Sequence, residues 1–326
     1  MLNEGDNMFI KTRVLNPYEK YILEVNGRIK MDTLDQTHCF TIDKGYTGEK
    51  YFYEKIKECS GGIKIWDFRL KMNGEAQYDF IIIHDQHIIH FDIKYYEGNY
   101  HFHQSNFISE NNYVITDPIN QLVKADMKLN QFVQKLGLSY KVLSYVVFVG
   151  QQFSVSGFNG DNRILFDKDI DRIVASLNKN ETSDEETRIG QLFLQYHYDK
   201  GIYQRIHYYP FEEIQEGIKC PSCNQLLPKL SHRKTHVTCS CGYKITKKDL
   251  VKNAFEVIQL LKNAAVTVDD VVRYTGIGKT LIREVLSENF EKTGMNKNRK
   301  YHPKEKLFIK EVSENEYEVD MVINDS

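Results

Sequence analysis

The sequence predicts an α/β fold followed by two small C-terminal modules. A helix, three strands, a second helix and a fourth strand follow one another between residues 45 and 149, an order typical of α/β proteins. Four cysteines between residues 220 and 241 indicate a module held by a metal ion, and three short helical patterns follow it. The predicted domains are a strand-rich N-terminal extension (1–40), the α/β domain (41–178), a linker with a helix (179–217), the cysteine module (218–248), a helical domain (249–310) and an acidic tail (311–326).

Composition excludes several classes of protein. The 326 residues are 41% hydrophobic and 27% charged, which is typical of a soluble globular protein with two or three domains. The chain has no run of 18 apolar residues, so no membrane span is expected, and its first residues lack the apolar stretch of a signal peptide. Six cysteines are too few for a disulfide framework in a chain of this length. We therefore expect a protein of the reducing cytoplasm.

Charge is distributed unevenly along the chain. Residues 219–310 contain 19 basic and 8 acidic residues, a net charge of +11, whereas residues 1–218 carry −7 and residues 311–326 carry −6. A basic segment in an otherwise acidic chain indicates a polyanionic partner. A well-solvated surface would explain the charge alone equally well.

The first predicted helix of the α/β domain carries an acid on its inner face. Residues 45–58, GYTGEKYFYEKIKE, have helical periodicity. Phe52, Tyr53 and Ile56 lie three, four and seven residues after Glu49, which places Glu49 on the apolar, inward side. An inward acid here indicates either a functional site or a first-turn charge that the helix dipole favours.

A predicted β-hairpin gives the strongest chemical signal. Segment 77–94 contains two apolar runs, QYDFIII and IIHFDIK, on either side of a short polar turn. A turn centred between them places Asp79 opposite Asp92 and Gln77 opposite Lys94. Because side chains alternate between faces, Asp92 and Lys94 share one face. Two carboxylates and one ammonium group are therefore expected to meet on otherwise apolar strands.

Opposed carboxylates are unfavourable without compensation. A bound Mg²⁺ or Mn²⁺ would supply it, because hard cations prefer oxygen ligands. The alternative is a surface salt bridge between the lysine and the two acids, with no metal.

The remaining elements of the domain complete the α/β order. A strand is predicted at 63–70 (IKIWDFRL), before the hairpin. Residues 117–136 read as an amphipathic helix with Pro118 in its first turn, where proline is tolerated. The apolar run 142–149, VLSYVVFV, predicts a buried strand.

Taken together, these strings resemble the nuclease-related domain (NERD) family of the PD-(D/E)xK nuclease superfamily. The resemblance rests on GYTGEKYFYEKIKE, QYDFIII, HFDIKYYEGNY, DPINQL and VVFV, and it covers about residues 41–150. It implies a restriction-endonuclease-like core. The family usually carries Glu where this chain has Asp92. The site residues that the resemblance implies are the acids Glu49, Asp79 and Asp92, the catalytic lysine Lys94 and the motif glutamine Gln121.

The implied chemistry is divalent-metal-dependent hydrolysis of phosphodiester bonds in DNA. Asp79 and Asp92 would hold Mg²⁺ or Mn²⁺ with the help of the Ile93 carbonyl, and Glu49 would act directly or through water. Lys94 would orient the attacking water or stabilise charge in the transition state. An alternative is a DNA-binding or regulatory protein with a weak or inactive nuclease core. Zinc-dependent RNA binding is a third reading, and it leaves the carboxylates unexplained.

The cysteine module has the spacing of a zinc ribbon. CPSC at 220–223 and CSC at 239–241 form two close pairs separated by 15 residues, with Pro221 and Gly242 supplying turn chemistry. Four thiolates would give a closed, structural Zn²⁺ site. His232 and His236 lie between the pairs and are alternative ligands. The four expected zinc ligands are Cys220, Cys223, Cys239 and Cys241.

The last predicted helices resemble a helix-turn-helix in a winged-helix-like domain. Residues 268–290 read as two helices around Gly276–Gly278, and the basic run KTGMNKNRKYHPK that follows could form a wing. A protein-binding or purely structural helical domain remains the alternative. The partner expected is DNA, with no membrane, and a homo-oligomer is left open. The expected DNA contacts are Lys279, Thr280 and Arg283 on the second helix, and Lys297, Arg299 and Lys300 in the wing.

Overall fold

The chain forms two compact units, Met1–Ile206 and His207–Ser326, which we describe separately. The computed structural model describes residues 8–72, 74–150, 152–158, 160–198, 206–228, 235–295 and 299–304.

The first unit is built on a six-stranded mixed sheet in the order β1-β2-β3-β4-β8-β10. Strands β2, β3 and β4 are antiparallel, whereas β1 is parallel to β2, and β8 is parallel to both β4 and β10. A smaller sheet has the order β7-β6-β5-β9. The elements are β1 (Phe9–Lys11), α1 (Pro17–Val25), α2 (Thr33–Ile56), β2 (Ile63–Lys71), β3 (Glu75–His84), β4 (His87–Tyr95), β5 (Gly98–His103), β6 (Asn106–Ser109), β7 (Val114–Ile115), α3 (Pro118–Lys135), β8 (Lys141–Val149), β9 (Phe153–Ser156), β10 (Ile164–Phe166), α4 (Ile170–Leu177) and α5 (Asp184–Gln195).

Helices cover both faces of the central sheet. We call the apolar cluster around Phe52 and Ile56 of α2 the α2-side core, which also contains residues of α4. The cluster around Phe132 of α3 and Phe193 of α5 is the α3-side core. The parallel neighbours β4 and β8 are joined through α3, which is the crossover that such a connection requires. The result is a three-layer mixed α/β arrangement.

All six elements predicted for residues 45–149 are present in the predicted sequence, several of them longer than expected. Strands β5, β6 and β7, which lie between β4 and α3, were not predicted. The predicted strand-rich character of residues 1–40 is wrong for the described part, residues 8–40, where β1 is a strand of only three residues. Residues 17–25 and the chain from Thr33 onward are helical. Asn16 and Glu19 form a capping box around Pro17, and Asp32 caps α2, so two strong start signals outweigh the short alternating segments.

The polar stretch 178–188, where the predicted linker begins, is in part the start of a helix. Helix α5 begins at Asp184 because Ser183 and Glu186 form a capping box. Glu186 is buried, and its carboxylate also accepts the backbone N–H of Asp85 in the β3–β4 turn. A charged sequence therefore fixes this helix against the hairpin.

One lysine of β2 is fully buried. The Nζ atom of Lys64 donates to the carbonyl oxygens of Cys59, Gly61 and Gly62, at 2.9, 2.9 and 3.1 Å. Burial lowers the pKa of Lys64 to about 8. The ammonium group therefore stays charged at pH 7 and ties the loop after α2 to the sheet.

We expect Lys64→Met to lower the free energy of unfolding by about 3 kcal/mol, because three buried carbonyl oxygens lose their donor. Urea unfolding at pH 7 measures this loss. Lys57→Met is the matched control, since Lys57 lies at the solvent-facing end of α2 and pairs with Glu54 there. Equal stability of the two variants would show that water replaces the ammonium group without cost.

The second unit contains two short hairpins and three packed helices. Phe255 and Ile258 of the first helix, Val271 of the second and Ile282 and Leu286 of the third are buried. The three helices predicted after the cysteine module are present, and residues 268–290 form two of them around Gly276–Gly278 as expected. The described helices of both units include none that is long and apolar enough to cross a membrane. The elements are β11 (His236–Thr238), β12 (Lys244–Thr246), α6 (Lys247–Lys262), α7 (Val268–Thr275), α8 (Lys279–Asn289), β13 (Glu291–Thr293) and β14 (Lys300–His302).

Candidate functional sites

The β3–β4 hairpin has the register expected from its sequence. Five residue pairs run from His84–His87 at the turn to Phe80–Phe91. The described ladder ends there, so Asp79 and Asp92 do not pair through their backbones. The Oδ2 atom of Asp79 instead accepts the backbone N–H of Ile93 at 2.8 Å. Asp79 is thus fixed against β4 by its side chain.

The expected pairing of Gln77 with Lys94 does not form, because the strands separate beyond Phe80. The Nε2 atom of Gln77 donates to Asp67 of β2 at 3.0 Å. Lys94 turns to its own strand and to α3.

Lys94 lies between an acid and an amide. Its Nζ atom is 3.0 Å from both carboxylate oxygens of Asp92 and donates to Oε1 of Gln121 at 3.4 Å. Gln121 stands in the first turn of α3, which Asp117 starts by accepting two backbone N–H groups. Asp92, Lys94 and Gln121 are therefore brought together, although they come from two elements.

The two aspartates of the hairpin form an electrostatically unfavourable set. Burial, and then the charges of Glu49 and Asp92, raise the pKa of Asp79 well above its ordinary value. The Oδ2 atom of Asp92 is buried and receives no hydrogen bond of good geometry, although Lys94 lies beside it. A carboxylate oxygen left in this state, next to a second carboxylate, has the donor chemistry that a hard divalent cation requires.

Glu49 occupies a different environment from the two aspartates. It is buried in α2; Arg13 donates Nη1 to its Oε1 atom, and the indole N–H of Trp66 donates to Oε2 at 2.6 Å. Burial raises the pKa of Glu49, and the Arg13 guanidinium opposes the shift. Among the residues that the structure describes, the carboxylate oxygens of Glu49, Asp79 and Asp92 do not all lie within 4.8 Å of one another.

Sequence reasoning missed Arg13, Trp66 and Asp67 as neighbours of this site. Asp67 is buried in β2, and its charge contributes to the raised pKa of Glu49. The available signal was the single acid in the apolar run IKIWDFRL, where a buried strand rarely carries a charge. Arg13 had no such signal, since it lies in a polar segment 36 residues before its partner.

The four clustered cysteines converge in the second unit. Their sulfur atoms all lie within 4.8 Å of one another, with Cys220 and Cys241 at 3.7 Å and Cys223 and Cys239 at 3.5 Å. All are free thiols. The set can share one tetrahedral metal ion. His236 lies on β11, where its Nδ1 atom contacts Thr235, and it is not part of this group. His232 lies outside the described residues.

Two tight turns build this cluster. The Cys220 N–H donates to Gln225 O at 2.7 Å, and the Cys239 N–H donates to Tyr243 O at 2.8 Å. Gly242 supports the second turn with φ 89°, a conformation that favours glycine. The backbone N–H of Cys241 is the largest influence on the thiol of Cys239 and lowers its pKa to about 6, while the N–H of Tyr243 lowers that of Cys241. These donors favour the thiolate form that binds metal.

Five of the six residues expected to contact DNA lie in the described part of the chain, three on α8 and two at or just before the start of β14. Lys279, Thr280 and Arg283 are exposed on α8, and Lys279 also pairs with Asp269 of α7 at 2.6 Å. Gly276 ends α7 with φ 72° and opens the turn into α8. On β14, Lys300 is exposed and the preceding Arg299 is half-buried, whereas Lys297 lies outside the described residues. Helices α7 and α8 and strands β13 and β14 lie in the segment where a winged helix was predicted, and the winged-helix assignment itself stays a prediction.

Comparison with protein families adds a finding on the first unit. Residues 44–149 match the family model described as the nuclease-related domain, NERD. Comparison with curated proteins and with solved structures gave no match. The matched segment contains all five candidate catalytic residues and ends with β8, which supports a nuclease-related function. Arg13 and the cysteine cluster lie outside it.

Proposed function

We propose that this chain is a divalent-metal-dependent nuclease that hydrolyses phosphodiester bonds in DNA, with a PD-(D/E)xK restriction-endonuclease-like core. One observation carries the proposal. Asp79 is fixed on the amide of Ile93, next to an Asp92 that is short of hydrogen-bond donors, and Lys94 lies between Asp92 and Gln121. This constellation stands within the segment that matches the nuclease-related domain.

The residues of the hairpin and of α3 have distinct roles in the proposed reaction. Asp79 and Asp92, with the Ile93 carbonyl, would hold Mg²⁺ or Mn²⁺, which when bound polarises the phosphate and lowers the pKa of a water molecule. Lys94 offers an ammonium group to the charge that develops on the phosphate oxygens. Gln121, on α3, accepts a hydrogen bond from Lys94, so that the ammonium group does not interact with Asp92 alone.

Glu49 has an indirect role in this site. Because both of its oxygens already accept a hydrogen bond, it fits a role through water or through its charge better than a role as a direct ligand. Its negative charge adds to that of Asp79 and attracts a cation to the hairpin. This is the indirect form of the role that its position in the family motif implies.

The direct test is incubation of the purified protein with plasmid and linear DNA in the presence of Mg²⁺, Mn²⁺ or EDTA. Cleavage that requires a divalent ion supports the proposal. Binding without cleavage would favour the alternative, a DNA-binding or regulatory protein with an inactive core. Asp92 favours that alternative, because its side chain is one methylene shorter than the usual Glu.

We further propose that the second unit combines a structural zinc ribbon with a DNA-binding winged helix. The net charge of +11 over residues 219–310 supports this, since an acidic nuclease core repels phosphate and benefits from a basic module in the same chain. The exposed side chains of Thr280 and Arg283 on α8 suit base contacts in the major groove. Basic residues of the following hairpin would contact the backbone.

In the full chain, the double variant Lys279→Ala/Arg283→Ala is expected to weaken DNA binding by about tenfold or more. The dependence of affinity on salt should also become shallower, because fewer counterions are released. Fluorescence anisotropy with a labelled duplex at two salt concentrations measures both effects.

The matched control is Lys135→Ala/Lys141→Ala, which removes the same charge from exposed positions of the first unit. If the control weakened binding as much as the α8 variant, net charge alone would account for the affinity. The winged-helix assignment would then fail, while the cleavage assay would still stand on its own.

A further inference from the structure

The pairing of β2 with β3 is interrupted at a single position. Four residue pairs precede the interruption, ending at Trp66–Phe80, and four follow it, beginning at Phe68–Tyr78. The register is the same on both sides. The two residues left out of the ladder are Asp67 and Asp79, which the register on either side places opposite each other.

Both strands change faces at this point. In a regular strand, residues two apart point to the same face of the sheet. Trp66 and Phe80 pack in the α2-side core, whereas Phe68 and Tyr78 pack in the α3-side core. The two aspartates stand at the changeover. This arrangement lets large side chains fill both cores while an acid occupies the break in each strand.

The backbone of Asp67 produces the change. Its φ is 64°, the left-handed region, which is rare inside a strand and which Asp and Asn adopt more readily than other residues with a side chain. Side chains hold it there. The Lys11 ammonium group donates to Trp66 O at 3.1 Å and to Asp67 O at 2.7 Å. Arg69 and Gln77 donate to Asp67 Oδ1, each at 3.0 Å.

The break also frees Asp79. The backbone of Asp79 is not paired with β2 in this ladder. The β3–β4 ladder, followed from the turn, ends at Phe80 and does not reach Asp79. The carboxylate can therefore lean across to the N–H of Ile93. Interruptions of this kind occur beside active sites, where they redirect a side chain.

We propose that Asp67 is a positioning residue of the site: its left-handed backbone, more than its charge, sets Asp79 against Ile93. The inference rests on the proposed nuclease function for its kinetic consequence. Its structural consequence, the hydrogen bond from the Ile93 amide, can be measured in protein without metal.

The experiment compares Asp67→Asn, Asp67→Gly, Asp67→Ala and Asp67→Val in the full chain. Asn and Gly tolerate the left-handed region, Ala tolerates it less, and Val resists it. We expect kcat for DNA cleavage to remain within about threefold for Asn and tenfold for Gly, and to fall by about 100-fold for Val. Ala should lie between, and it keeps the test informative if the Val variant does not fold.

A second readout uses no metal and no substrate. In protein with isotope-labelled isoleucine, the Ile93 amide should exchange slowly in the Asn and Gly variants and faster in the Ala and Val variants. Asp85 supplies the matched control, because it also has a left-handed backbone, φ 48°, at the other end of β3. Asp85→Val should cost stability but leave the Ile93 amide and kcat unchanged.

Three outcomes would overturn the inference. Equal losses in all four Asp67 variants would show that the charge matters and the backbone does not. A protected Ile93 amide in folded Asp67→Val would show that Asp79 is positioned without the break. The same effect from Asp85→Val would make the change nonspecific. A wild-type protein that cuts no DNA would refute the proposed function alone, since the amide measurement still decides the structural claim.

Discussion

Asp79→Asn, Asp92→Asn and Lys94→Met should each lower kcat for metal-dependent DNA cleavage by about 1,000-fold or more. The two aspartates supply the charges that hold the divalent ion, and the amides that replace them are neutral. Lys94→Met keeps the length of the side chain but removes the ammonium group that faces Asp92 and Gln121. Cleavage kinetics with Mg²⁺ or Mn²⁺, at saturating DNA, measure these losses.

The control for charge is Lys135→Met, an exposed lysine near the end of α3, which should cut like the wild type. Folding is a separate control. Burial and neighbouring acids raise the pKa of Asp79, so its ionised form is unfavourable in the metal-free fold. Asp79→Asn should therefore be at least as stable as the wild type without metal, and an inactive but stable variant excludes unfolding as the cause.

Asp92→Glu should preserve or raise activity, because it restores the residue that the family usually carries and lengthens the reach to the metal by one methylene. Wild-type cleavage by Asp92→Asn would contradict the mechanism at its centre. Loss of activity in Asp92→Glu would mean that the short side chain is matched to this particular pocket, held as it is by Lys94.

The sequence predicts those parts of the site that depend on the pattern of apolar and polar residues within one short segment. The turn between β3 and β4 is short, so the hairpin register follows from two apolar runs and places the two aspartates and Lys94 near one another. Gln121 follows from the family motif and from Pro118, which starts α3. None of these inferences needs a contact between distant parts of the chain.

The parts that the sequence did not predict depend on backbone conformation or on long-range contacts. A left-handed φ at Asp67 leaves no trace in the pattern of apolar and polar residues, yet it shifts both strands from one face to the other. The sequence pattern also does not show that the β3–β4 ladder ends at Phe80. Because it ends there, Gln77 contacts Asp67 rather than Lys94. Arg13 reaches Glu49 from a segment expected to be strand-rich.

Purified chain made with zinc available should contain one tightly held Zn²⁺, and Cys220→Ser should lose it. The four thiols lie close together, but few other contacts of the described residues stabilise this arrangement. Strands β11 and β12 have three residues each, and the large aliphatic side chains buried among the described residues of 218–246 are those of Ile218, Leu227, Val237 and Ile245. A segment this small cannot form a stable core without a metal.

The expected consequence is local unfolding of the ribbon. In Cys220→Ser, or after strong chelation, backbone amides of residues 236–246 should exchange hydrogen rapidly, while those of β3 and β4 in the first unit keep their protection. Elemental analysis gives the zinc content, and hydrogen exchange resolved by peptide gives the extent of unfolding. The matched control is Cys39→Ser, since Cys39 is a buried cysteine in α2, away from the cluster along the chain.

The same samples separate the two metals. A site of four thiolates should retain zinc through dialysis that strips Mg²⁺ or Mn²⁺ from oxygen ligands, because soft sulfur ligands hold Zn²⁺ far more tightly. Dialysed protein should therefore regain cleavage on addition of Mg²⁺ alone. Protein without zinc after expression with zinc, or an unchanged zinc content in Cys220→Ser, would refute the ribbon. If chelated, zinc-free protein bound DNA and cut it like the wild type, the cysteine cluster would be dispensable for both activities.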